Sequence, residues 1–123
     1  MKATDLMIGD FVLHDGKVKR VDMIWSKYEV NLYGGETWGS IYNKTDISEV
    51  QPIPITHEIL YRNGWNYDDL DHEFKGYPRI YGSKALYGIF CCEVNISYVH
   101  ELQHALRLMG LGELLTLKIG GAV

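Results

Sequence analysis

Apolar positions along this chain follow two different periods, and the change from one to the other comes at Pro54. In the first fifty residues they come in short runs. Phe11-Val12-Leu13 leads into Asp15-Gly16, a dipeptide suited to a tight turn because glycine tolerates positive φ, and Lys17 to Ile24 returns with Val18, Val21 and Ile24 set among polar residues. This predicts a β-hairpin. A third strand is expected over Tyr28-Glu29-Val30-Asn31-Leu32, with Tyr28, Val30 and Leu32 facing inward. Gly34-Gly35 then turns the chain into a fourth strand from Thr37 to Tyr42. Val50 to Ile53 can close the sheet before Pro52 and Pro54 interrupt it. Four or five short strands joined by tight turns, with no helix between them, predict a small, strongly curved antiparallel barrel over residues 1–54.

Beyond Pro54 the pattern becomes mixed. Thr56 is placed to cap a two-turn helix through His57-Glu58-Ile59-Leu60-Tyr61-Arg62, and Asn63-Gly64 supplies a left-handed stop. Strand-like stretches follow at Arg79 to Tyr81 and at Leu86 to Cys92, separated by Gly82-Ser83 and preceded by the acidic loop Asp68-Asp69-Leu70-Asp71. A long helix over Ser97 to Met109, stopped by Gly110 and Gly112, precedes a last strand through Leu114-Leu115-Thr116-Leu117-Lys118-Ile119. Its buried stripe is expected to be Val99, Leu102, Ala105, Leu106 and Met109, which leaves His100, His104 and Arg107 on a more polar side. The fold class that results is α+β. A small β-barrel is followed at 55–123 by an α+β module of short helix, antiparallel strands, long helix and final strand, the two packed together as one folding unit.

Composition narrows the class without changing it. At 123 residues, 46% hydrophobic and 23% charged, the chain has the make-up of an ordinary folded domain. No run approaches the roughly 20 apolar residues of a membrane helix, and Met1-Lys2-Ala3-Thr4-Asp5 opens without the apolar core of a signal peptide, so a cytoplasmic location without a membrane is expected. Cys91 and Cys92 are adjacent, and a bridge between neighbours on one strand is strained, so both are expected to be reduced. The net charge of −4 is spread evenly, with six Lys/Arg against eight Asp/Glu on each side of residue 50. Lys17, Lys19 and Arg20 form the nearest thing to a basic patch and read as the solvated edge of a hairpin, which makes nucleic acid an unfavoured partner.

One segment reads as chemistry. Tyr98 to Arg107 contains His-Glu-x-x-His, and on a helix this spacing sets His100 and His104 one turn apart on the same face, where two imidazoles hold zinc while Glu101 activates a bound water. A catalytic zinc needs a third protein ligand. No histidine follows His104, so Glu113 is the one carboxylate available beyond the helix, with His72, Glu93 and Cys91 reachable only through the fold. The alternative is that all three are polar residues of an amphipathic helix whose first turn Glu101 supports. That reading is preferred, with no catalytic residue, no metal and no cofactor assigned; zinc hydrolysis through Glu101, His100, His104 and Glu113 stands as the alternative. Asp68, Asp69, Asp71 and Glu73 lack the ligand order of a calcium loop, and no serine, glycine-rich loop or cysteine pair supports other chemistry. Nine Tyr and three Trp are many for this length, and such residues anchor interfaces. Tyr33, Trp38 and Tyr42 are the expected recognition surface.

The phrase Ile8-Gly9-Asp10-Phe11-Val12, followed by Asp15-Gly16 and Val18 to Ile24, resembles the start of SH3-like barrels, including the translation-associated KOW type. In that setting Gly9 provides a close approach or positive φ, and Asp10 supports the loop by bonding its backbone. A broader set of landmarks spans the chain: Met1 to Asp10, Ile53-Pro54-Ile55-Thr56 with Glu58-Ile59-Leu60 and Asn63-Gly64, and Tyr98 to Gln103. Together they resemble a group of uncharacterised small proteins of gut Bacteroidales and their phages. The resemblance implies a phage or prophage gene product and carries no catalytic residues. The expected function is therefore non-enzymatic: a binding or accessory protein that recognises a protein or small ligand. Zinc-dependent hydrolysis and nucleic-acid binding through the barrel are the alternatives.

Overall fold

A computed structural model describes residues 1–33, 44–70, 73–75, 79–81, 84–87 and 92–108. The architecture is α+β with two antiparallel sheets, and the chain divides into two compact units, the first holding Met1–Ile53 and the second beginning at Pro54. Among the described residues no helix is long and apolar enough to cross a membrane.

The first unit opens with a 3-10 turn, Ala3–Asp5, and a tight loop that delivers the chain into β1, Phe11–His14. Gly9 sits in that loop at φ 93°, where a side chain is strained, and Asp10 is completely buried with its carboxylate accepting from the Met7 N–H at 2.7 Å. Both features were expected of these residues. The Gly9 N–H donates to the Val21 carbonyl at 2.7 Å and the Val21 N–H donates to Asp10 O at 2.9 Å, so the loop is stitched to the next strand. That strand, β2 at Lys17–Ile24, pairs with β1 around Asp15 and Gly16, both at positive φ (53° and 72°), the geometry of a two-residue hairpin turn.

The third strand, β3, covers Glu29–Tyr33, one residue later than the alternation predicts. Tyr28 is 60% exposed rather than inward, because it belongs to the loop Trp25 to Tyr28, and Asn31 is 97% buried (3% exposed) despite its polarity. Between Val21 and Met23 the register shifts by one, so that Val21 faces Leu32, Met23 faces Asn31 and Ile24 faces Val30. This bulge explains why the inward positions Val21 and Ile24 are three apart instead of two. The fourth strand is β4, Lys44–Asp46; the stretch Thr37 to Tyr42 lies outside the described residues. A second 3-10 turn, Ile47–Glu49, follows, capped by the Asp46 carboxylate on the Ser48 N–H at 2.9 Å.

The sheet order is β1-β2-β3-β4, and among the described residues the ladders do not close it. The expected closing strand from Val50 to Ile53 shrinks to one bridge, in which Leu13 and Gln51 exchange two backbone hydrogen bonds of 2.8 and 2.9 Å. Pro52 cannot donate to a ladder, so pairing stops there. One side of the sheet buries Val12, Val21, Val30 and Leu32 against Ala3, Leu6 and Val50, with Ile24 and Ile47 at the rim.

In the second unit α1, His57–Arg62, begins where expected: Thr56 Oγ1 accepts from the Ile59 N–H at 3.2 Å. Asn63 donates its side-chain N–H to the Ile59 carbonyl at 2.7 Å and Gly64 takes φ 98°, which ends the helix and delivers the buried Trp65. A five-stranded antiparallel sheet follows, ordered β5 (Asn66–Asp68), β6 (Glu73–Lys75), β7 (Arg79–Tyr81), β8 (Lys84–Tyr87) and β9 (Cys92–Asn95). Two strands were not foreseen. β5 and β6 flank the acidic stretch, whose carboxylates pair across strands: Lys75 with Asp68 at 2.6 Å, and Arg79 with the buried Glu73 at 3.9 Å. The single strand expected from Leu86 to Cys92 is instead two, β8 and β9, paired in register from Lys84↔Asn95 to Tyr87↔Cys92. α1 is held on this sheet by three rings, His57, Tyr67 and Phe74, whose centroids lie 4.6–5.0 Å apart.

The second helix, α2, spans Val99–Leu108. Its buried side is wider than the predicted stripe: Val99, Leu102, Ala105 and Leu106 are joined by His100 and Gln103. These positions cover more than half the helix circumference at 3.6 residues per turn, leaving Glu101, His104 and Leu108 toward solvent. Met109 and the expected strand from Leu114 to Ile119 lie outside the described residues.

Two outcomes follow. Asp10→Ala removes the acceptor for the Met7 N–H in a fully buried site and is expected to lower stability by about 1–3 kcal/mol, read from urea unfolding; an unchanged midpoint contradicts it. The Ser48 backbone and side chain, both hydrogen-bonded to Asp46, hold its carboxyl below the usual carboxylate range. A depressed acid stabilises the folded state fully above its unfolded value and loses that effect as pH falls through the folded value. The acid limb of the unfolding curve should therefore weaken in Asp46→Asn relative to wild type.

Candidate functional site

The His-Glu-x-x-His segment is helical and sets His100 and His104 on adjacent turns, as its spacing requires. Their ring centroids are 5.7 Å apart, edge to face at 72°, and His100 also stacks on Tyr98 at 5.9 Å and 9°. The chain enters the helix from a bridge between Pro54 and Tyr98, with the Ile55 N–H donating to Ser97 O at 3.0 Å. The amides just before α2, those of Ser97 and Tyr98, then need an acceptor. Glu101 supplies it: its Oε1 accepts from Ser97 N–H at 2.8 Å and from Tyr98 N–H at 3.0 Å. A carboxylate three residues into a helix that reaches back to the amides before it is the second half of a capping box.

That arrangement bears on chemistry. A general base must present its carboxylate to a bound water, whereas one oxygen of Glu101 is held by two backbone amides. His100 is only 6% exposed and stacked, while His104 is half-buried. Among the described residues no group of three His, Cys, Asp or Glu side chains is set to hold a metal ion. Glu113, His72 and Cys91 lie outside those residues, and Glu93 lies in β9. Glu101 serves to start α2, through its bonds to the Ser97 and Tyr98 amides.

A different set of residues is arranged for recognition. β2 and β3 are joined by Trp25-Ser26-Lys27-Tyr28, a loop fixed at both ends: Trp25 N–H and Ser26 N–H both donate to Glu29 O (2.9 and 3.3 Å), and Tyr28 O accepts from Ile47 N–H at 2.8 Å. Ser26 Oγ closes it internally by accepting from the Tyr28 N–H at 3.1 Å. Trp25 and Tyr28 are 37% and 60% exposed, and Met23 beside them 39%. Each aromatic ring carries a lysine: the Lys44 ammonium lies 4.8 Å from the Trp25 centroid and that of Lys27 5.0 Å from the Tyr28 centroid. Of the expected recognition residues, Tyr33 is half-buried at the end of β3 in register with Arg20, and Trp38 and Tyr42 lie outside the described residues. The sequence carries a signal for this loop. Two large aromatics occupy a four-residue connection where glycine, asparagine or aspartate is the usual choice.

With Glu101 acting as a cap, Glu101→Ala is expected to lower unfolding free energy by about 0.5–2 kcal/mol while Glu101→Gln retains most of it, measured by thermal and urea melts. Untagged protein purified without chelator is expected to carry the same zinc content in wild type and His104→Asn; near-stoichiometric zinc lost in the variant overturns the structural role. Comparison with known protein families, with curated proteins and with solved structures found no match to this chain.

Proposed function

We propose that this chain is a non-enzymatic binding or accessory protein, of phage or prophage origin and acting in a bacterial cytoplasm, that recognises a protein or small ligand through aromatic side chains of a small SH3-like barrel. The observation that carries the binding role is the loop from Trp25 to Tyr28, where two large rings are held exposed by a backbone that hydrogen bonds fix in place. Exposing aromatic area on a rigid loop costs a folded protein stability and lowers the entropy lost on binding, which is the usual design of an interface anchor. The barrel reading draws support from the path after β4: a 3-10 turn, then Gln51 returning to the outer edge of β1 at Leu13.

Charge favours a protein or small ligand over nucleic acid. Lys27 and Lys44 share their surroundings with Asp22, Glu29 and Asp46, and the pairing of Glu29 with Asp46 sets two carboxylates directly opposite each other. A phosphate backbone meets no net positive surface there.

Immobilised wild-type chain and a Trp25→Ala/Tyr28→Ala double variant, presented to the same bacterial lysate, test the reading. A partner held through this loop should bind the variant more than about tenfold more weakly, the loss expected when anchor aromatics are truncated, with melting temperature retained. Equal recovery of the same partners on both surfaces removes the loop from the site, and capture that falls steeply with salt returns the nucleic-acid alternative.

A further inference from the structure

His14 ends β1 at the point where Gln51 returns to the sheet, and three charged groups reach its ring, with a fourth at its register partner. From β2, Lys19 sits diagonally across on the same face, its ammonium 3.3 Å from Nδ1, while Lys17 is the direct register partner. Asp15 in the turn places Oδ2 3.6 Å from Nδ1. Glu49, the last residue of the second 3-10 turn, places Oε2 3.8 Å from Nε2. His14, Asp15 and Glu49 line an open groove of about 560 Å³ together with Leu13, Gly16 and Gln51, which add no charge.

The two protonation states of the imidazole use this ring of partners differently. A neutral His14 with its proton on Nε2 accepts at Nδ1 from the Lys19 ammonium. A protonated His14 donates at both nitrogens, so Nδ1 repels Lys19 and turns to Asp15 while Nε2 draws in Glu49. One ammonium and two carboxylates reach the ring, with Lys17 its register partner, so the added positive charge is met by carboxylates at both nitrogens. Of the two carboxylates, Glu49 belongs to the segment that returns to β1, and protonation strengthens its attraction to Nε2.

We propose that His14 is a proton-driven clamp: protonation trades the Lys19 hydrogen bond at Nδ1 for an ion pair with Asp15, adds positive charge to the Nε2–H that already faces Glu49, and so tightens the Leu13–Gln51 closure of the first sheet. The groove gives solvent protons access to the ring without unfolding. The amides to watch are those of Leu13 and Gln51, which make the bridge itself.

Backbone hydrogen exchange by NMR on the full chain, at about pH 5 and about pH 8 and corrected for intrinsic rates, tests this. In wild type the protection of Leu13 and Gln51 should rise about two- to fivefold on acidification relative to the Val21 amide, the range a solvent-accessible ion pair supports. Glu49→Gln, at an exposed position where folding is retained, should abolish the rise, and Lys19→Met should preserve or enlarge it. A flat wild-type profile, or a rise that survives Glu49→Gln, overturns the clamp.

Discussion

The Asp10 carboxylate lies beneath the first hairpin with no exposed surface, and its hold on the Met7 amide decides where β1 can begin. Met7 to Asp10 must turn sharply, and Gly9 allows it at a φ few other residues tolerate. The same turn exposes the Gly9 amide and the Asp10 carbonyl to Val21, so that one loop sets the register between the chain's start and the middle of β2. Arg20 adds to this from the other side, donating Nε–H to Gly9 O at 3.3 Å while its guanidinium covers the Phe11 ring at 4.9 Å. β3 and β4 then pair outward from β2 in order. A slip of this loop by one residue would exchange the two sides of β1 and place His14 where Leu13 now pairs with Gln51.

The second unit solves a different problem, that of beginning a helix directly after an extended bridge. Tyr98 is paired to Pro54 and at the same time heads α2, and the amides of Ser97 and Tyr98 turn to a side chain. A glutamate at position 101 reaches both. Histidines on either side of it follow from where the helix packs: His100 falls on the buried side against Tyr98, and His104 at its border. The spacing that suggests zinc chemistry is also the spacing that a capped, half-embedded helix produces.

Local signals were the legible ones. Asp15-Gly16, Gly9-Asp10, Thr56 and Asn63-Gly64 each act through bonds within a few residues, and each forms as its chemistry dictates. What could not be read depends on partners distant in sequence. β5 and β6 are three residues each, too short to show alternation, and are sustained by cross-strand pairs such as Asp68 with Lys75. The interruption between β8 and β9 is hidden because Leu86 to Cys92 is uniformly apolar or small. His100 and Gln103 read as polar face because periodicity cannot reveal that a helix is covered on more than one side. The exposed aromatics of Trp25 and Tyr28 were obscured by the expectation that Tyr28 begins a strand.

Asp22 has no counterpart of its own in β3, and this single supernumerary residue reverses the phase of everything after it in the strand. Without it, Val21, Met23 and Trp25 would share one face and the tryptophan would belong to the interior. With it, Ile24 takes the inward place and Trp25 comes to lie under Lys44 on the opposite face. The aromatic surface is thus a product of strand phase rather than of side-chain choice, so a one-residue deletion could convert a displayed ring into a core residue with no change in composition at the loop.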